Sequence, residues 1–226
     1  MGAMSPSSLP WPGEPLVMAH GTCVIVELGE PDAPALVEAL ARLPAAERAL
    51  AERLPPGRRR ELVTGRTALH AALAVHAPAL ADLPILPDDR GAPVLPAGWV
   101  GSLSHKGARA AALVAPADPH AHARVGVDLE LAQPSRRDIA ARILTPRELA
   151  ALTDRGRGAT LRFSIKEAIY KAVDPFVRRY VAFTEVELDV TDEGVAHVVS
   201  ALPLHIETTW REHAGFWLST ARARRP

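Results

Sequence analysis

From Leu161 to Ala172 the apolar residues Leu161, Ile165, Ala168, Ile169 and Ala172 recur at spacings of three and four. A helix brings such residues to one buried stripe. Glu167 and Lys171 stand four apart on a different stripe, one turn above the other. Pro175 is expected to end this helix. Upstream, Val125-Gly126-Val127-Asp128-Leu129-Glu130 alternates with period two. As a strand it sends Asp128 and Glu130 to one face and Val125, Val127 and Leu129 to the other. Two carboxylates from a strand and one from a helix can hold a hard divalent cation through oxygen. Lys171 beside them would neutralise a phosphate. Taken singly, Asp128 and Glu130 also read as the solvated face of an edge strand, and Glu167 with Lys171 as an exposed ion pair.

The rest of the chain alternates between the two periods. Residues 5 to 15 are rich in Pro, Ser and Gly and read as a loose arm. His20 to Leu28 is β-branched enough for a strand. Helical patterns run over 34–43, 45–54 and 58–76, the last with Leu62, Leu69 and Leu73 inward. A Pro-rich connection, 78–96, holds at most short strands. Two neighbouring strands follow, 99–105 and 110–114. After the strand of Asp128, helices are expected over 136–143 and 146–152, the second with Thr145 as N-cap. Strands are then expected over 183–190, 195–199, 204–210 and 216–221. Strands and helices in similar order in both halves give an α+β chain, hinged near residues 117–124.

Composition narrows the function. Acidic and basic residues balance at 26 each, which argues against a dedicated nucleic-acid binder. No long uncharged run spans a bilayer. The single Cys23 lies in an apolar run, reads as a buried thiol, and favours a reducing cytoplasm. Ser104-His105 is not part of a G-x-S-x-G turn, so a serine hydrolase is disfavoured. His120 and His122 lack the further ligands that a structural metal site needs.

Gly126-Val127-Asp128-Leu129-Glu130, then Phe163-Ser164-Ile165-Lys166-Glu167-Ala168-Ile169-Tyr170-Lys171-Ala172, resembles the 4′-phosphopantetheinyl transferases. The nearest type is the longer one that activates siderophore, surfactin and polyketide synthases. Gly101-Ser102-Leu103-Ser104-His105 resembles the family's S-x-S-H segment and comes in the family's order. The resemblance implies an α+β fold of two similar halves with pseudo-two-fold symmetry and the site at their seam. It divides the chain into an arm (1–16) and halves 17–118 and 119–226.

It also implies an activity, the transfer of phosphopantetheine from coenzyme A to a serine of an acyl, peptidyl or aryl carrier protein. A cytoplasmic monomer is expected, with neither nucleic acid nor membrane as partner. Asp128, Glu130 and Glu167 would hold Mg²⁺, with Glu167 and Lys171 catalytic. Arg60, Arg66, Arg90, Ser104, His105, Lys166 and Lys171 would contact coenzyme A. Members often carry Arg where His70 stands, and some carry Lys where Ala92 stands, for which Arg90 is a substitute. Phe176, Val177 and Tyr180 would offer an apolar patch to the carrier, or simply pack in the core.

Overall fold

The computed structural model describes residues 11–118 and 122–226. They form two compact units. Among the described residues no helix is long and apolar enough to cross a membrane.

The first unit holds residues 11–17 and Thr22–Val114. Its elements in order are β1 (Pro15–Met18), β2 (Gly21–Glu27), α1 (Pro34–Arg42), α2 (Ala45–Glu52), α3 (Pro56–Ala74), β3 (Leu86–Pro87), β4 (Pro93–Val94), β5 (Trp99–Lys106) and β6 (Arg109–Pro116). The segment read as a loose arm therefore ends in a strand, and residues 1–10 lie outside the described residues. The main sheet has the order β1-β2-β6-β5. Val24 and Val26 on β2, with Ala110, Ala112 and Val114 on β6, share one core with Val63, Leu69 and Leu73 of α3. Pro56 sits in the first turn of α3, where its missing N–H costs nothing. Gly65 lets α3 lie close to β5, because a Cβ there would stand 2.7 Å from both Leu103 and His105 side chains.

The second unit holds Met18–Gly21 and Ala115–Pro226. It contains β7 (Arg124–Leu131), α4 (Ala140–Ile143), α5 (Pro146–Ala150), α6 (Arg155–Val177), β8 (Val186–Val190), β9 (Val195–Ser200), β10 (His205–His213) and β11 (Phe216–Arg224). The sheet order is β7-β11-β10-β9-β8, so the chain crosses from one edge to the other through the helices and meanders back. The tight turn between β10 and β11 puts Ala214 and Gly215 at positive φ, the two-residue hairpin geometry that matches strand twist. Thr145 caps α5 in a capping box with Glu148, as its sequence position implies.

The helix α6 is longer at both ends than its apolar stripe. Asp154 caps its start, accepting from the amides of Gly156 and Arg157. Pro175 does not end it. The helix runs through Pro175 and stops at Arg178, which takes the left-handed conformation and donates its amide to Asp174 O. Proline removes its own N–H from the ladder and crowds the carbonyl one turn back, and both effects are confined here to the last turn of the helix. The expected helix over 136–143 contracts to α4, with Asp138 Oδ1 accepting from the Ala140 amide. Phe183–Glu185 is a 3-10 turn, not the start of a strand, because Glu185 reaches back to the Ala182 amide.

Gly126 is where β7 and α6 meet. A Cβ there would stand 1.9 Å from Ala168 O and 2.9 Å from Ala172 N, and backbone on both sides leaves no side chain to yield. Gly126→Ala is expected to cost about 1–3 kcal/mol by forcing the helix off the sheet. Thermal denaturation checks this through a fall of about 2–4 °C for each kcal/mol lost.

Candidate functional site

Gly126, Asp128 and Glu130 fall on alternate positions of β7 and therefore share its α6-facing side. Asp128 is 4% exposed and Glu130 partly exposed, so Asp128 does not belong to a solvated face. From α6, Lys171 Nζ donates to Asp128 Oδ1 at 2.9 Å and to Val127 O at 2.8 Å. Its ion pair is thus made with the strand, not with Glu167 four residues before it. Burial pushes the Glu167 carboxyl above the ordinary carboxylate range, Asp128 pushes it further, Lys171 opposes this, and Glu130 adds to the rise. The three carboxylates lie in one another's field. Among the described residues, no group of three or more His, Cys, Asp and Glu side chains is placed to hold a metal ion.

Lys166 has a different place from the one its neighbour Glu167 implies. Its side chain is wholly buried. Its ammonium donates to Glu148 Oε2 at 2.8 Å, Ile143 O at 2.9 Å and Phe183 O at 2.9 Å. An ammonium has three donors, and all three are used. Lys166 ties α6 to α4, α5 and the 183–185 turn, and in this arrangement has no donor to offer coenzyme A. Burial pulls its ammonium down from the ordinary lysine range, and Glu148 opposes the shift.

The candidates in the first unit lie on α3 and β5. Ser102 and Ser104 are buried on alternate positions of β5, and His105 is held against α3 at Gly65. Arg66 is 4% exposed. Burial pulls its guanidinium down, Glu47 opposes this, and Nε has no hydrogen-bond partner. Arg60 pairs with Glu30 at 2.8 Å. Arg90 is exposed in a turn where its amide donates to Asp88 Oδ1. Arg58 pairs with Glu61, while Arg59 donates to the carbonyls of Ala51, Glu52 and Leu54, so both belong to the local scaffold.

His70 also belongs to the scaffold. It is fully buried and stacks on Trp11. Nδ1 lies 2.6 Å from Ala81 O and Nε2 lies 2.9 Å from Glu47 Oε2. A carbonyl only accepts, so Nδ1 carries a proton. Glu47, also fully buried, accepts the Ile85 amide as well.

Of the expected carrier patch, Tyr180 is exposed, whereas Phe176 and Val177 are half-buried against the core of the second unit. His122 is exposed, and His120 lies outside the described residues.

Residues 46–115 match the 4′-phosphopantetheinyl transferase N-terminal domain, and residues 124–221 match the 4′-phosphopantetheinyl transferase superfamily. The chain is 36% identical over 155 residues to the 4′-phosphopantetheinyl transferase Svp of Streptomyces mobaraensis, a match spanning 66% of this chain and 61% of that relative. Among solved structures it is similar to a holo-(acyl-carrier-protein) synthase from Bacillus anthracis in complex with CoA (3′,5′-ADP). That likeness has 20% identity and a TM-score of 0.38, and covers 45% of this chain and 96% of the other. It is also similar to the Thermotoga maritima holo-[acyl-carrier-protein] synthase, at 22% identity and a TM-score of 0.36, covering 45% and 63%. With both family domains matched in tandem, the chain belongs to the 4′-phosphopantetheinyl transferase superfamily, in its longer form.

Proposed function

We propose that this chain transfers the 4′-phosphopantetheine group from coenzyme A to a serine hydroxyl of an apo acyl or peptidyl carrier protein, releasing 3′,5′-ADP. The observation that supports it best is the shared field of Asp128, Glu130 and Glu167, with the Lys171 ammonium at its edge. Crowded carboxylates, one of them pushed toward protonation first by burial and then by the other two, make an oxygen donor set that suits a hard cation. Asp128, Glu130 and Glu167 would hold Mg²⁺. Bound there, Mg²⁺ would neutralise charge on the coenzyme A pyrophosphate.

The chain's own residues do the rest. The carrier serine oxygen forms a bond to the phosphorus that bears pantetheine, and the bond from that phosphorus to the bridging oxygen breaks. Glu167, directly or through a water, takes the serine proton. Lys171 turns from Asp128 to the departing phosphate, whose charge it neutralises. Arg66 is buried with an unsatisfied Nε, which suits it to an anionic ligand. Arg60, Arg90, Ser104 and His105 complete the proposed coenzyme A contacts. Tyr180 offers an exposed aromatic to the carrier.

The test is the intact mass of an apo carrier protein after incubation with this chain, coenzyme A and Mg²⁺. A gain of one phosphopantetheine arm is expected, lost with EDTA and with Glu167→Ala. No gain on acyl, aryl and peptidyl carriers despite coenzyme A binding would overturn the reading. Release of 3′,5′-ADP without any carrier would instead mark a hydrolase.

A further inference from the structure

β11 lies antiparallel beside β7, in a register that sets Ser219 opposite Asp128 and Trp217 opposite Glu130. Directly opposite residues in such a pair point to one face, with Cβ atoms about 4.5–5.5 Å apart. Here that face is the one under α6, since Ala221 stands opposite Gly126 in the same register and Gly126 abuts Ala168.

Ser219 is wholly buried and its Oγ has no hydrogen-bond partner. Trp217 is 7% exposed and its Nε1 likewise has none. A buried donor left without an acceptor destabilises the fold. Ser219, Ala221 and Ala223 form a stripe of small residues facing α6. Alanine would fill position 219 as it fills the next two, so the hydroxyl is an addition that packing does not require. Two such donors stand at successive same-face positions, each across from a carboxylate.

We infer that Ser219 and Trp217 are positioning residues for Asp128 and Glu130. When the two carboxylates hold a divalent cation, Ser219 Oγ–H donates to the Asp128 carboxylate and Trp217 Nε1–H to that of Glu130. These bonds fix the carboxylates in their ligating orientation, as outer partners of metal ligands generally do. The inference rests on the reading that Asp128 and Glu130 bind a cation.

The test separates the two ideas. Mn²⁺ serves as the probe, its affinity for the full chain read from the free-ion EPR signal, beside the thermal midpoint without metal. Ser219→Ala is expected to weaken Mn²⁺ binding about 10–100-fold, while the metal-free midpoint stays put or rises because an unsatisfied hydroxyl is gone. Trp217→Phe keeps an aromatic ring, smaller than the indole, loses the N–H, and is expected to weaken binding in the same way. If Asp128→Asn abolishes binding but Ser219→Ala and Trp217→Phe bind like the parent chain, the positioning role is overturned. A fall in affinity only in step with a fall in the metal-free midpoint marks a structural role and overturns it too. If Asp128→Asn leaves Mn²⁺ binding unchanged, the carboxylate reading falls and this inference with it.

Discussion

Glu167→Gln is expected to lower turnover roughly 10²–10⁴-fold, the range a positioned general base contributes. The amide keeps an oxygen for a cation but accepts no proton from the carrier serine, so coenzyme A affinity should change far less than turnover. Stability should move the other way. Burial and the nearby Asp128 and Glu130 hold the Glu167 carboxyl above its ordinary range. In the metal-free chain the folded state therefore binds this proton more tightly than the unfolded state. Stability is lost as pH rises from the ordinary carboxylate value through the raised one. At neutral pH the ionised group works against folding, and the neutral amide removes that opposition. Steady-state kinetics together with thermal denaturation at neutral pH decide the matter. A variant that turns over at the parent rate would remove Glu167 as the base, and one that unfolds well below the parent would show that its burial is structural.

The two site elements were legible in the sequence because each has a clean period, two for β7 and three to four for α6. What joins them was not. Glu167 and Lys171 at four residues' spacing read as partners, since on an isolated helix the nearest opposite charge is one turn away. In the folded chain Gly126 lets the helix down onto the strand, and Lys171 finds Asp128 and the Val127 carbonyl instead. The orphaned Ser219 and Trp217 donors gave no signal at all. They acquire meaning only through the register that sets them opposite the carboxylates.

Buried charge was the other hidden quantity. Glutamates on helices are usually solvated, and nothing in the sequence marks Glu47 in Ala45–Glu52 or Glu148 in Pro146–Ala150 as different. Each instead anchors a loop or strand amide, Ile85 for one and Leu188 for the other, beside a buried cationic or imidazole partner. His70, where the family resemblance led to an arginine, is the partner of Glu47. The apparent strand start at Phe183 follows the same logic. Its carbonyl is taken by Lys166, which holds the segment as a turn.

Lys166→Met is therefore expected to cost about 3–5 kcal/mol, the loss that follows when one member of a buried ion pair is removed. Glu148 would remain wholly buried, its Oε2 still accepting the Thr145 amide and its Oε1 the Leu188 amide, with no cation beside it. At about 2–4 °C for each kcal/mol, the thermal midpoint should fall by roughly 6–20 °C. Adding Glu148→Gln should recover much of that. The amide is neutral and keeps one acceptor oxygen, which serves either the Thr145 or the Leu188 amide, so the charge that made the single variant costly is gone at the loss of one hydrogen bond. Coenzyme A affinity of the folded protein should change little in either variant, because the Lys166 donors are spent on Glu148, Ile143 and Phe183. A coenzyme ligand predicts the opposite pair of results, an unchanged midpoint and a weakened coenzyme. Melting curves and a binding isotherm on the same two variants separate a lysine that grips the substrate from one that holds the helix presenting Glu167 and Lys171.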